Sequence, residues 1–171
     1  LSALPDMQEA LFPFRYPASL DAIDLELVGS QFKDHEPEYW TIQQENLRRQ
    51  FARKIGSGPE RGDLRHFSVF ALAPQPLLIE LGRLLCDVVP ADIFQRHREP
   101  PAWAWPADGA DIAFKIDRPD RIHNNVALTI GISANIDPVR VKAVLGDDVS
   151  LWSISASGAH NDILNARRTL S

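Results

Sequence analysis

The chain is poor in the residues that mark several protein classes. It has one cysteine, Cys86, among 171 residues. One thiol cannot form an intrachain disulfide, and such usage is expected of a reducing cytoplasm. Preceded by two leucines, Cys86 is expected to be a buried, unreactive thiol. No apolar run reaches the roughly 18 residues of a membrane-spanning helix. The opening stretch, LSALPDMQEALFPF, lacks the basic segment of a signal peptide. It starts with Leu rather than Met, so a fragment or processed chain is expected. Cations are outnumbered, with 18 Lys and Arg against 23 Asp and Glu and a net charge of −5. That balance argues against a duplex-DNA binder, which needs a broad basic footprint. It leaves room for a small anionic ligand, which needs only a few local donors.

Catalytic signatures are also scarce. The five histidines, His35, His66, His97, His123 and His160, are scattered without metal-ligand spacing. There is no Walker loop, no GxGxxG fingerprint and no GxSxG elbow. His66 falls in a predicted strand, where a satisfied core or edge role is expected. The Asp147-Asp148 pair falls at a predicted helix end and is expected to be solvated. These residues describe a chain equipped to bind rather than to react.

What is present is an ordinary soluble composition, 44% hydrophobic and 24% charged, enough for one core or two small lobes. In AIDLELVGSQF, Ile23, Leu25 and Leu27 alternate with Asp24 and Glu26, which predicts a half-buried strand. A helix is predicted from about Glu36 to Ile55, with Pro37 in its first turn, a late cluster of Arg48, Arg49, Arg53 and Lys54, and glycines at 56 and 58 to stop it. Leu64–Leu72 reads as a second strand with a continuously apolar end. Pro76–Asp87 follows as a helix on a leucine stripe, and its Gly82 predicts a close helix–sheet contact. A third strand is expected from Ala91 toward Arg96. The first hundred residues therefore read βαβαβ with right-handed crossovers. After the Pro-rich EPPAWAWP connector, DIAFKID, NVALTIGISA and VSLWSISAS read as strands, Pro138–Leu145 as a helix, and a further helix is expected near His160.

In open α/β sheets ligands bind beyond the carboxyl ends of strands. The residues expected there are Gln31, then Pro74 and Gln75, then Arg96, His97 and Arg98. Ser133 and Asn135 follow, then Ser155, Ser157, Gly158 and His160. Trp103 and Trp105 are candidates for base stacking. The set is small, polar and locally cationic, as a nucleotide-like ligand requires. Each member has a plainer reading: surface ion pairs for the arginines, core for the tryptophans, a tight turn for SASGAH.

HFSVFALAPQPLLIELGRLLCDVVPADIFQRHREPPAWAW resembles the start of SAVED domains, cyclic-oligonucleotide sensors of the bacterial anti-phage CBASS systems. The likeness couples VFALAPxPLLxxLGxLL to QRHRxxxxWxW over Phe67 to Trp105, with the intervals kept. It implies an α/β, Rossmann-like (CARF-like), mostly parallel sheet flanked by helices. Residues 1–105 would be the first CARF-like half, 106–123 a connector, and 124–171 the start of a second pseudo-repeat. The second copy of the Phe67–Gly82 type of segment is absent, so the second half is expected to continue beyond Ser171.

The resemblance further implies a cyclic di- or trinucleotide from a partner cyclase as activating ligand, with no resident cofactor or metal. Ligand-dependent homo-oligomerisation would activate a fused effector, and the wording of the motif suggests an HNH endonuclease and cyclic GMP–AMP. No membrane and no direct nucleic-acid binding by this chain are expected. A ring nuclease using Ser155 or Ser157, or a purely structural oligomerisation module, are the rival readings.

Overall fold

The computed structural model describes residues 4–19, 21–56, 58, 64–86, 89–98, 101–105 and 112–157. The chain divides into two compact units, Leu1–Ala104 and Trp105–Ser171. Both are mixed α/β.

In the first unit, helix α1 (Leu4–Leu11) precedes a long extended stretch and helix α2 (Pro37–Lys54). Strand β1 (Phe67–Phe70), helix α3 (Gln75–Leu85) and strand β2 (Ala91–Phe94) form one βαβ unit, with β1 and β2 parallel and Phe67 opposite Ala91. Proline in the first turn starts α2 and α3, where a missing N–H is harmless. Leu47 of α2 and Leu77 of α3 are buried. So is Glu80, which joins the two helices: its Oε1 accepts from Arg48 Nε at 2.7 Å and Arg83 Nη2 at 2.8 Å, and its Oε2 from Arg83 Nε at 2.9 Å. Hydrogen bonds from Arg83 and then Arg48 hold the carboxyl down at about 2, against the upward push of burial.

Four expectations are corrected here. The stretch Ile23–Leu27 is not in a sheet, and the described residues of the unit form one βαβ rather than βαβαβ. Side chains of α2 take up its backbone groups instead. Gln43 Nε2 donates to the Val28 carbonyl at 2.7 Å and its Oε1 accepts from the Val28 N–H at 3.1 Å. Gln50 does the same for Glu26, at 2.6 and 3.1 Å, and Asn46 adds a bond to the Glu26 carbonyl at 2.7 Å. Lys54 Nζ donates to the Asp24 carbonyl. The alternation in the sequence records an extended chain, but its ladder partner is a helix face. Secondly, β1 is half-buried throughout rather than buried on both faces. Thirdly, Gly82 makes no close contact: a Cβ there would meet nothing within 4 Å. Fourthly, Cys86 caps α3 at its exposed end rather than lying in the core.

In the second unit, β3 (Phe114–Asp117), β4 (Asn125–Gly131) and β5 (Val149–Ala156) form a sheet in the order β3-β5-β4. β4 runs parallel to β5 through helix α4 (Pro138–Leu145), and β3 is antiparallel to β5. Asp137 caps α4, accepting from the Val139 N–H at 2.9 Å, and Gly146 ends it at φ 82°. Ser150, fully buried, ties the sheet to the loop before β4 by accepting from the His123 N–H at 2.6 Å. Phe114, Ile116, Val126, Leu128 and Ile130 lie exposed on one face of this sheet. The described strands thus form one small parallel sheet in the first unit and one small mixed sheet in the second.

Candidate functional site

Both parallel strand pairs present their carboxyl ends to segments singled out in the sequence. In the first unit these ends are Phe70 and Phe94. Beyond Phe70, Pro74 caps α3 and its carbonyl accepts from the N–H groups of Leu77 and Leu78 at 3.0 and 3.2 Å, while Gln75 is exposed. Beyond Phe94, the chain turns sharply: the His97 N–H donates to the Ala102 carbonyl at 2.8 Å in an isolated antiparallel bridge. Arg98 stands exposed on that turn and His97 is buried in its base.

The bridge returns Trp103 to the core, where it is 2% exposed. Its ring meets Phe70 edge-on at 5.4 Å, and Phe70 stacks on Phe94 at 4.5 Å. The Arg96 guanidinium lies 5.8 Å from the Trp103 ring centre, within cation–π range. Arg96 Nη1 and Trp103 Nε1 are both buried, and neither has an acceptor among the described residues. Buried donors are nearly always paired, so an orphaned guanidinium nitrogen asks for an explanation. An anionic oxygen is the acceptor to which a guanidinium donates most strongly.

In the second unit, an open groove of about 410 Å³ lies at the carboxyl ends of β4 and β5 beside the start of α4. Asp117, Gly131, Asn135, Ser153 and Ser155 line it, with Ile136, Pro138 and Leu151 as its apolar part. Ser153 and Ser155 share a face of β5 because strand side chains repeat every second residue. Asp117 pairs with Lys115 Nζ at 2.7 Å, so its charge is locally balanced. Gly131 is buried and a Cβ there would stand 2.8 Å from the Ala134 carbonyl oxygen. The hydroxyls, the amide and the apolar wall suit the edges and faces of a nucleoside better than they suit a free anion.

Of the residues expected from sequence, the structure brings Asn135 and Ser155 into this groove, and Arg96, His97 and Trp103 into one cluster in the first unit. Gln31 is exposed at the end of the extended stretch, and Trp105 is half-buried in the second unit. Ser133 is exposed in the turn after β4, and the Ser157 N–H extends the β3–β5 pairing by donating to the Ala113 carbonyl at 2.9 Å. Gly158 and His160 lie outside the described residues. Asp117, Gly131 and Ser153 were missed. Ser153 was legible as the residue two before Ser155, whereas Asp117 comes from a strand whose antiparallel pairing carries no local signal.

The remaining titratable cluster lies toward the amino end of β1 and β2. Asp92 Oδ2 lies 3.0 Å from His66 Nε2 and accepts from Arg15 Nε at 3.1 Å. Among the described residues, no group of three His, Cys, Asp or Glu side chains could hold a metal ion.

The sequence pattern of SAVED, the SMODS-associated and fused to various effectors sensor domain, matches residues 47–171. The chain belongs to the SAVED family. No curated protein matches it. SAVED is a sensor domain joined to effectors, so the matched region is a ligand-sensing part rather than an effector. The match includes β1, α3, β2 and the Arg96–Trp103 cluster, and all of the second unit.

Proposed function

We propose that this SAVED chain senses a cyclic di- or trinucleotide, with cyclic GMP–AMP favoured, and that binding drives assembly and so activates a fused nuclease in bacterial antiviral defence. The two units are read as a Rossmann-like, CARF-like half and the beginning of a second. The observation that carries the reading is the buried Arg96 Nη1, without an acceptor among the described residues, beyond the carboxyl ends of a parallel strand pair in a sensor domain. A ligand phosphate oxygen would supply that acceptor. Trp103 holds the guanidinium in place from within the core, a supporting role rather than base stacking. The groove of Asn135, Ser153 and Ser155 offers hydroxyl and amide partners for a base or ribose. A ligand shifts an assembly equilibrium only by its differential affinity for the two states, so this binding must be tighter in the assembled form.

The test is a thermal-shift screen of the full-length protein against cyclic di- and trinucleotides, read together with scattering mass. A ligand bound only by the native state raises the melting temperature by mass action. The reading predicts such a rise and an increase in mass. No shift with any member of the panel would refute it. Recovery of linearised product would instead identify the ring-nuclease reading.

A further inference from the structure

The extended stretch that α2 holds has a second backbone edge. In an extended chain, successive N–H and C=O pairs point to opposite sides. The residues bonded to α2 are all even-numbered: Asp24, Glu26 and Val28. From Gln43 to Lys54 the helix rises about 16 Å, close to the roughly 13 Å that four strand residues span. The segment therefore runs extended and antiparallel to the helix. The N–H and C=O groups of Ile23, Leu25 and Leu27 then point away from α2, and among the described residues none has a partner. This is an open strand edge, held straight by Gln43, Asn46, Gln50 and Lys54.

Its side chains indicate what it accepts. Ile23 and Leu27 are 44% and 45% exposed. Asp24 and Glu26, on the opposite face, are exposed, and neither carboxylate has an ion-pair partner among the described residues. Residues 21–30 contain three acids and no base. A second copy pairing antiparallel on this edge would set Asp24 against Glu26, and like charges placed opposite each other are destabilising. We propose that this edge takes an extended segment of another protein by strand addition, one with Lys or Arg at alternate positions and apolar residues between them. Main-chain bonds would go to Ile23, Leu25 and Leu27, the basic side chains to Asp24 and Glu26, and the apolar ones would cover Ile23 and Leu27. An edge left open is otherwise an aggregation hazard.

The experiment titrates the full chain with the peptide VKVKVKV and, as a charge-reversed control, VEVEVEV, following amide hydrogen exchange at Ile23, Leu25 and Leu27. The basic peptide should slow exchange at these three amides at least tenfold, and the acidic one should leave them unchanged. Two variants keep the α2 clamp intact. Leu25→Pro removes an outward N–H, trims a half-buried side chain and keeps Asp24 extended. Glu26→Lys changes only an exposed side chain. Each should lower the affinity for VKVKVKV at least tenfold, with an unchanged melting temperature showing that the fold persists. No protection by VKVKVKV, protection confined to other amides, or wild-type affinity in both variants would overturn the proposal. So would sedimentation showing that the chain dimerises through this edge by itself.

Discussion

At the scale of single residues, glycine and glutamine positions separate conformational need from packing need. Gly82 lies inside α3, is exposed, and has open space where a Cβ would sit. Gly82→Ala should stabilise the chain by about 0.5–1 kcal/mol, because helix-interior glycine costs that much relative to alanine. Gly56 is the contrast, with φ 46° and a would-be Cβ 2.6 Å from the Ala52 carbonyl oxygen. Gly56→Ala should destabilise by about 1–2 kcal/mol. Denaturant midpoints of the two variants give opposite signs if these geometries hold. Gln43 is 1% exposed and bonds both backbone groups of Val28. Gln43→Ala should cost about 2–3 kcal/mol, since it removes two bonds and leaves a buried cavity. The half-buried clamp residue Gln50 should cost less, about 1 kcal/mol, as Ala.

At the scale of elements, the sequence was read best where periodicity is local. The α2 helix was legible to within a residue at each end, and α4 as Pro138–Leu145 exactly as its proline, stripe and glycine require. The parallel β1 was found as an apolar run and β2 as a strand starting at Ala91, both shorter than expected. The segment at Ile23–Leu27 shows why alternation is not sufficient. Period two reports extended backbone, but what satisfies that backbone depends on Gln43, Asn46 and Gln50, which in sequence look like the polar side of a helix. Asp117 in the groove was illegible for a related reason, since only the antiparallel register with Ser153 brings it there. Arg96 and Trp103 were legible as a motif and Trp103 as a core candidate, while the seating of that arginine over its ring was not.

The Glu80 bridge between α2 and α3 carries the pH dependence at this scale. Its folded value of about 2 lies below the ordinary 4.5. A lowered carboxylate contributes stability that is full above the unfolded value and is lost as pH falls through the folded one. Melting temperature should therefore fall between about pH 4.5 and 2 in part through this group. Glu80→Gln should lower stability at neutral pH and flatten that part of the profile. An unchanged acid limb in Glu80→Gln would show that other carboxylates control it.

At the scale of the whole molecule, the chain is a SAVED sensor domain whose two units each set small and polar groups beyond parallel strand ends. No described helix is long and apolar enough to cross a membrane. The exposed apolar face of the second sheet, Phe114, Ile116, Val126, Leu128 and Ile130, is the kind of patch that marks association in soluble proteins. The proposed ligand sensing rests most directly on Arg96, whose buried Nη1 lacks an acceptor among the described residues. Calorimetric titration of the full-length protein with cyclic GMP–AMP, wild type against Arg96→Ala, tests it. A lost charged contact to phosphate should weaken binding by about 10-fold or more, on the order of 1.5–3 kcal/mol, with the fold intact. Equal affinities in two equally stable proteins would contradict the account.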